Sequence, residues 1–168
     1  MKYLGSLLLT FFLCFPTVAQ EHSARPAAKP ATLMSGISDL HHPVTTSNPE
    51  AQKFFDQGLR LIYAFNHDEA ARSFRRAAEL DPKMAMAYWG IAEAVGPNYN
   101  DPASDERFQE AHEVIEKAVS LSGGASGTER DYIQAMATRF PAPGADRRKA
   151  AEEYRDAMRE LIDGTTGY

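Results

Sequence analysis

Residues 47–82 read SNPEAQKFFDQGLRLIYAFNHDEAARSFRRAAELDP, and this stretch decides the fold. Ser47 stands three residues before Glu50, the spacing of a capping box, and Pro49 falls in a first turn where a missing N–H loses nothing. A helix is therefore predicted from this point. Its apolar positions Phe54, Phe55, Leu61, Ile62 and Phe65 recur at helical spacings, and Gly58 on the same face admits a close neighbour. Asn66-His67-Asp68 is expected to end it, with the asparagine taking the left-handed conformation and the aspartate starting the next helix. Ala70, Phe74, Ala77, Ala78 and Leu80 then mark a second helix, which stops at Asp81-Pro82.

A hairpin of two such helices is too small to bury its own apolar face and needs neighbours of the same kind. Downstream, Ala70-Phe74-Ala77 is echoed by Ala111-Ile115-Ala118 and by Ala150-Tyr154-Ala157. Alanines let helix backbones approach, and the large residue between them fills the gap to the partner. The extra length between copies falls in loops, Gly96–Pro102 and Pro141–Gly144, where insertions are cheap. Thr128-x-x-Asp131 is read as the cap of the third hairpin, whose first helix runs through Tyr132, Ile133 and Met136 to Phe140. The last helix is expected from Asp146 to Ile162, with Gly164 as its stop. The fold class is thus all-α, with about three stacked antiparallel helix-turn-helix hairpins over residues 47–163 and a tail at 164–168.

Phe54-x2-Gln57-Gly58-x2-Leu61, followed by Ala70-x3-Phe74-x2-Ala77 and Pro82, resembles the tetratricopeptide repeat, a 34-residue helix-turn-helix unit. Phe54, Gly58, Ala70, Phe74 and Pro82 agree with that pattern. Gln57, where leucine is usual, and Leu61, where tyrosine is usual, depart from it. Tyr88, Ile91 and Ala92 look like the start of a second copy. The longer stretch Ala64–Pro82, with Ala87-Tyr88-Trp89-Gly90-Ile91-Ala92 and Gly96-Pro97-Asn98, is similar to exported bacterial tetratricopeptide proteins, which are usually much longer chains. That similarity spans roughly residues 41 to 160 and implies that the sequence is the amino-terminal part of such a protein.

The resemblance implies a right-handed superhelix whose concave face holds a protein or peptide. The groove would be lined by Phe55, Leu59, Ile62 and Tyr63 from the first hairpin and by Met86, Trp89 and Glu93 from the second. Phe55 and Leu59 stand where a carboxylate-clamping member would carry lysine and asparagine, which argues against that mode. The competing role for the aromatics is simply core, since apolar stripes at helical spacing usually are.

Ahead of the helices, Lys2 precedes an uncharged apolar run from Leu4 to Phe15, then Pro16 and Thr17-Val18-Ala19. This is the layout of a secretory signal peptide, residues 1–19, with cleavage expected after Ala19 and a periplasmic or secreted destination. The run falls short of the ~20 apolar residues that cross a bilayer, so no membrane insertion is expected once the signal is removed. Cys14, the chain's one cysteine, has Phe12-Leu13 before it instead of the small residues of a lipid-attachment site. Residues 20–46, rich in proline and alanine, read as a linker.

The 168 residues are 43% hydrophobic and 24% charged, with a formal net charge of −5. Such a chain is too apolar to be disordered, too poor in cysteine for a disulfide scaffold and too acidic for nucleic acid, whose backbone demands a concentrated positive surface. Catalytic signatures are missing. Gly123-Gly124-Ala125-Ser126-Gly127 lacks the lysine of a phosphate-binding loop and reads as a flexible connector, and no serine lies in a Gly-x-Ser-x-Gly turn. His41 and His42 are adjacent and so point apart in extended chain, His67 sits in a turn with nothing nearby to complete a ligand set, and His112 pairs with Glu116 on one helix face. The expectation is a protein- or peptide-binding scaffold with no catalytic residue, cofactor or metal. A last helix without a cap points to self-association through that end. The competing class is the amino-terminal part of a larger enzyme or metal-binding protein, in which His67, His41, His42 and the Asn98-Tyr99-Asn100 loop contribute to a site completed elsewhere.

Overall fold

A computed structural model describes residues 30–165; the expected signal peptide, the first part of the linker and the last three residues lie outside them. The described chain forms six α-helices and no strand: α1 (Pro49–Tyr63), α2 (His67–Leu80), α3 (Ala85–Val95), α4 (Asp105–Leu121), α5 (Gly127–Arg139) and α6 (Arg147–Thr165). Each helix packs on its successor, and the first helices of the hairpins also touch one another, α1 on α3 and α3 on α5. The protein is therefore all-α, and the three hairpins expected from the alanine pattern are present.

The helix ends differ in detail from those expected. Asn48, not Ser47, caps α1, its side-chain oxygen accepting from the Glu50 and Ala51 amides at 3.0 and 3.2 Å. At the α1–α2 turn the left-handed residue is Phe65, at φ 56°, and Asn66 caps α2. Phe65 N–H donates to the Ile62 carbonyl and Asn66 N–H to that of Leu61, the paired bonds of a Schellman turn, in a place where glycine is usual. Ser126, not Thr128, opens α5, forming a reciprocal capping box with Glu129. The glycines before it form a short 3-10 turn, Ser122–Gly124. α6 continues through Gly164, where the sequence suggested a stop.

Phe74 is the centre of the packing. It is fully buried, and its ring lies against the backbone of two helices at once: a Cβ built on Gly58 of α1 would fall 2.5 Å from it, and one on Gly90 of α3 closer still. Glycine at both positions is what lets α1 and α3 close over the ring. Ala70, Ala77, Ala111, Ile115 and Ala118 are also fully buried, so the first two copies of the small-large-small pattern do the work expected of them. In the third copy Ala150 is buried while Tyr154 and Ala157 are half-buried, as befits the last helix. The outer side of α6 is charged and internally paired, Arg148 with Glu152 and Lys149 with Glu153.

The segment read as a linker is tied to the helices from residue 30 onward. Gln57, 1% exposed, accepts from the Met34 amide at 2.7 Å and donates to the Thr32 carbonyl and the Ser73 hydroxyl. Buried Asp56 receives His41 Nδ1 at 2.7 Å and the His42 amide at 3.1 Å. Arg60 donates to the Leu40 carbonyl, Thr46 Oγ1 to Asp81, and the Thr45 amide and hydroxyl both to Glu129 of α5, each at 2.6 Å. Residues 30–46 form an extended strap that covers the first hairpin and joins it to the third. Gln57, anomalous as a repeat core residue, is explained by this strap, whose backbone needs a polar partner that leucine could not supply.

Candidate interaction faces

The residues expected to line a groove divide into two groups. Phe55 and Met86 are buried, at 0% and 3% exposure, and present no surface to a partner. Phe55 packs 5.4 Å from Phe74 and lies under His42 of the strap, ring centroids 6.4 Å apart. Leu59, Ile62 and Trp89 are half-buried, and Tyr63 is 74% exposed. Glu93 is ion-paired with Arg139 at 2.7 Å.

Three residues not expected to line the groove join this face. Tyr132 of α5 meets Trp89 edge-on at 6.2 Å, and Arg139 lies over the ring of Tyr154 at 5.2 Å. Burial pushes the Tyr154 hydroxyl above its ordinary pKa, and the nearby Glu93 carboxylate adds to this. The sequence places Tyr132 in the same helix as Ile133, Met136 and Phe140, but does not show that Tyr132 and Arg139 lie off the inward face that those three residues form. The Trp89 indole N–H is buried and finds no acceptor among the described residues.

A second cluster gathers where the first helices end. The antiparallel hairpins bring the α1–α2 turn and the α3–α4 loop to the same end of the array, and with them Phe65, 66% exposed, and Tyr99, 95% exposed. Between turn and loop lies an open hollow of about 290 Å³, lined by Phe65, His67, Asn98, Asn100, Asp101 and Arg107 among others. The His67 ring nitrogens are buried and unpartnered. Asp101 is held below its ordinary pKa, chiefly by the Ala103 N–H and further by Arg107. His67 and the Asn98–Asn100 loop thus meet, while His41 and His42 lie along α1 beside Asp56, so the histidines do not form one site. Among the described residues no three of His, Cys, Asp and Glu gather where they could hold a metal. His112, expected to pair with Glu116, bonds through Nδ1 to the Phe140 carbonyl at 2.8 Å and ties α4 to the end of α5.

An aromatic residue held at φ 56° and left exposed spends stability on something other than packing. Phe65→Gly is expected to stabilise the chain by about 1 kcal/mol, since glycine takes the left-handed conformation without steric conflict. Urea unfolding reads this directly, and a variant less stable than the parent would show that the ring is needed for the fold.

Compared with models of protein families, with curated proteins and with solved structures, the chain finds no match.

Proposed function

We propose that this protein is an exported, tetratricopeptide-like scaffold that binds a protein or peptide partner along the face of its first helices. The observation that carries the reading is the aromatic and aliphatic surface left by those helices: exposed Tyr63, half-buried Leu59, Ile62 and Trp89, and Tyr132 packed edge-on to Trp89. Large rings in partly desolvated settings, flanked by an ordered arginine, are the usual anchors of protein recognition. A partner carbonyl would also satisfy the Trp89 donor. The contacts of α1 with α3 and of α3 with α5 support a repeat-like layer, and the amino-terminal sequence pattern supports export.

The test is to pan a random twelve-residue peptide library against the full chain and measure the enriched peptides on variants. Tyr63→Ala and Leu59→Ala are expected to weaken binding about 30-fold, the size of an interfacial hot spot near 2 kcal/mol. Tyr63 is exposed, so its truncation leaves the helical circular dichroism and melting temperature unchanged. Binders that ignore both substitutions would overturn the reading.

A further inference from the structure

At the end of the array where Tyr99 projects, the geometry points to a second binding surface that takes an acidic peptide segment carrying aromatic side chains. It is distinct from the first-helix face, with which it shares Arg139. The α3–α4 loop is built to hold its tyrosine in place. The Asn98 amide donates to the Asp101 carbonyl at 2.8 Å, the Asn100 amide to the Asn98 side chain at 2.9 Å, and the Ala103 amide to the Asp101 carboxylate at 2.9 Å. Two arginines anchor the loop from outside. Arg107 bonds the Val95 carbonyl and the Asp101 carboxylate, and Arg139 donates to the Pro97 carbonyl at 2.6 Å. The backbone that carries this fully solvated ring is held at both ends, so the loop's share of the ordering cost of binding is already met.

Beside Tyr99 an open groove of about 610 Å³ runs between the loop and the start of α6. Its apolar surface comes from Pro97, Tyr99 and Phe108, and its polar rim from Arg139, Arg147 and Arg148, with no carboxylate lining it. On a chain of net charge −5, three guanidinium groups converge on one apolar groove, each paired with a carboxylate that lies outside the groove lining. Arg147 is oriented for use: its guanidinium lies 4.0 Å over the Phe108 ring, which is itself edge-on to Phe140 at 5.4 Å. Stacking fixes the plane of the fork, and its N–H edge, now bonded to the exposed Asp105, is placed to grip an incoming carboxylate in exchange.

The present partners of these arginines are weak competitors. Arg147 meets Asp105, whose side chain is 86% exposed, and Arg148 meets Glu152 at 3.3 Å with both groups largely in water. Surface pairs of this kind contribute little, so an incoming carboxylate exchanges with them at small loss. Arg139 is different, since it is bound to Glu93 and Pro97 and serves to hold the wall. Carboxylates thus match the rim, and aromatic side chains match Tyr99 and the prolines. Nucleic acid would meet the same arginines, but the acidic remainder of the chain repels a polyanion that extends beyond the groove.

The probe is fluorescein-labelled random copolymer of glutamate and tyrosine, titrated by anisotropy against the full chain, with a labelled thymidine twenty-mer in parallel. Saturable binding of the copolymer is expected, falling at least tenfold in Arg147→Glu/Arg148→Glu and in Tyr99→Ala and weakening as salt is raised. These side chains are exposed, so unchanged melting temperatures confirm intact variants. Tyr63→Ala is expected to leave copolymer binding as it was, which separates this surface from the first-helix face. No binding, binding indifferent to the arginine reversal, or tighter binding of the oligonucleotide would each overturn the assignment.

Discussion

Phe74→Ala is expected to destabilise the fold by about 3–5 kcal/mol, the range for emptying a fully buried aromatic site. The site cannot collapse to recover this. The ring is sandwiched between the backbones of Gly58 and Gly90, on two helices whose spacing is also set by Phe55 and the alanines around it. Against the 5–15 kcal/mol by which ordinary domains are stable, such a loss is a large fraction of the total. Urea unfolding followed by helical circular dichroism measures it, and a loss below about 1 kcal/mol would show that Phe74 is not the centre of the packing. A second substitution sharpens the test. Gly58→Ala in the parent drives a methyl into the ring, with an expected penalty of about 1–3 kcal/mol. In the Phe74→Ala background the same methyl enters the vacated space, so the penalty should largely vanish. The two changes are therefore strongly coupled, as residues sharing one cavity are.

This centre was visible in part, because the small-large-small spacing and Gly58 are local features of single helices, whereas the approach of Gly90 to Phe74 is tertiary. The caps were visible only in part. Ser47 and Asn48, Asn66 and Asp68, or Ser126 and Thr128 offer competing oxygens within two residues of each other, and tertiary geometry selects among them. Residues 30–46 were least legible of all. An extended segment with prolines has no period of its own, and the groups that hold it, Gln57, Asp56, Arg60 and Glu129, are polar residues that a hydrophobic pattern ignores. The interaction faces divide the same way. Tyr63 could be placed from its helix register, whereas burial of Phe55 depends on the strap, and the fixed posture of Tyr99 depends on Arg139, forty residues along the chain.

Glu129→Ala is expected to cost about 3 kcal/mol and to change how stability depends on acid. Glu129 is only 6% exposed, yet it accepts from the Thr45 amide and the Thr45 hydroxyl at 2.6 Å and from the Ser126 amide at 2.7 Å. Hydrogen bonds to a carboxylate are worth about 1.5–3 kcal/mol each, and removing the shared acceptor leaves the donors to find water. Two functions fail together, the cap of α5 and the tie between strap and third hairpin across 84 residues of sequence. The carboxyl titrates accordingly. Burial pushes it up, but the bonds from Thr45 and Ser126 outweigh burial and hold it below the ordinary range of a glutamate. A carboxylate that is more acidic folded than unfolded contributes its full stability above the unfolded pKa and loses it as pH falls through the folded one. The parent should therefore lose stability between neutral pH and the acid limb more steeply than Glu129→Ala, and the two curves should converge at low pH. Thr45→Val, which removes the hydroxyl alone, should couple strongly to Glu129→Ala in a double-mutant cycle and leave the cap intact. Additive effects, or parallel acid limbs for parent and Glu129→Ala, would show that the strap is held by its other contacts and that Glu129 acts only as the helix cap.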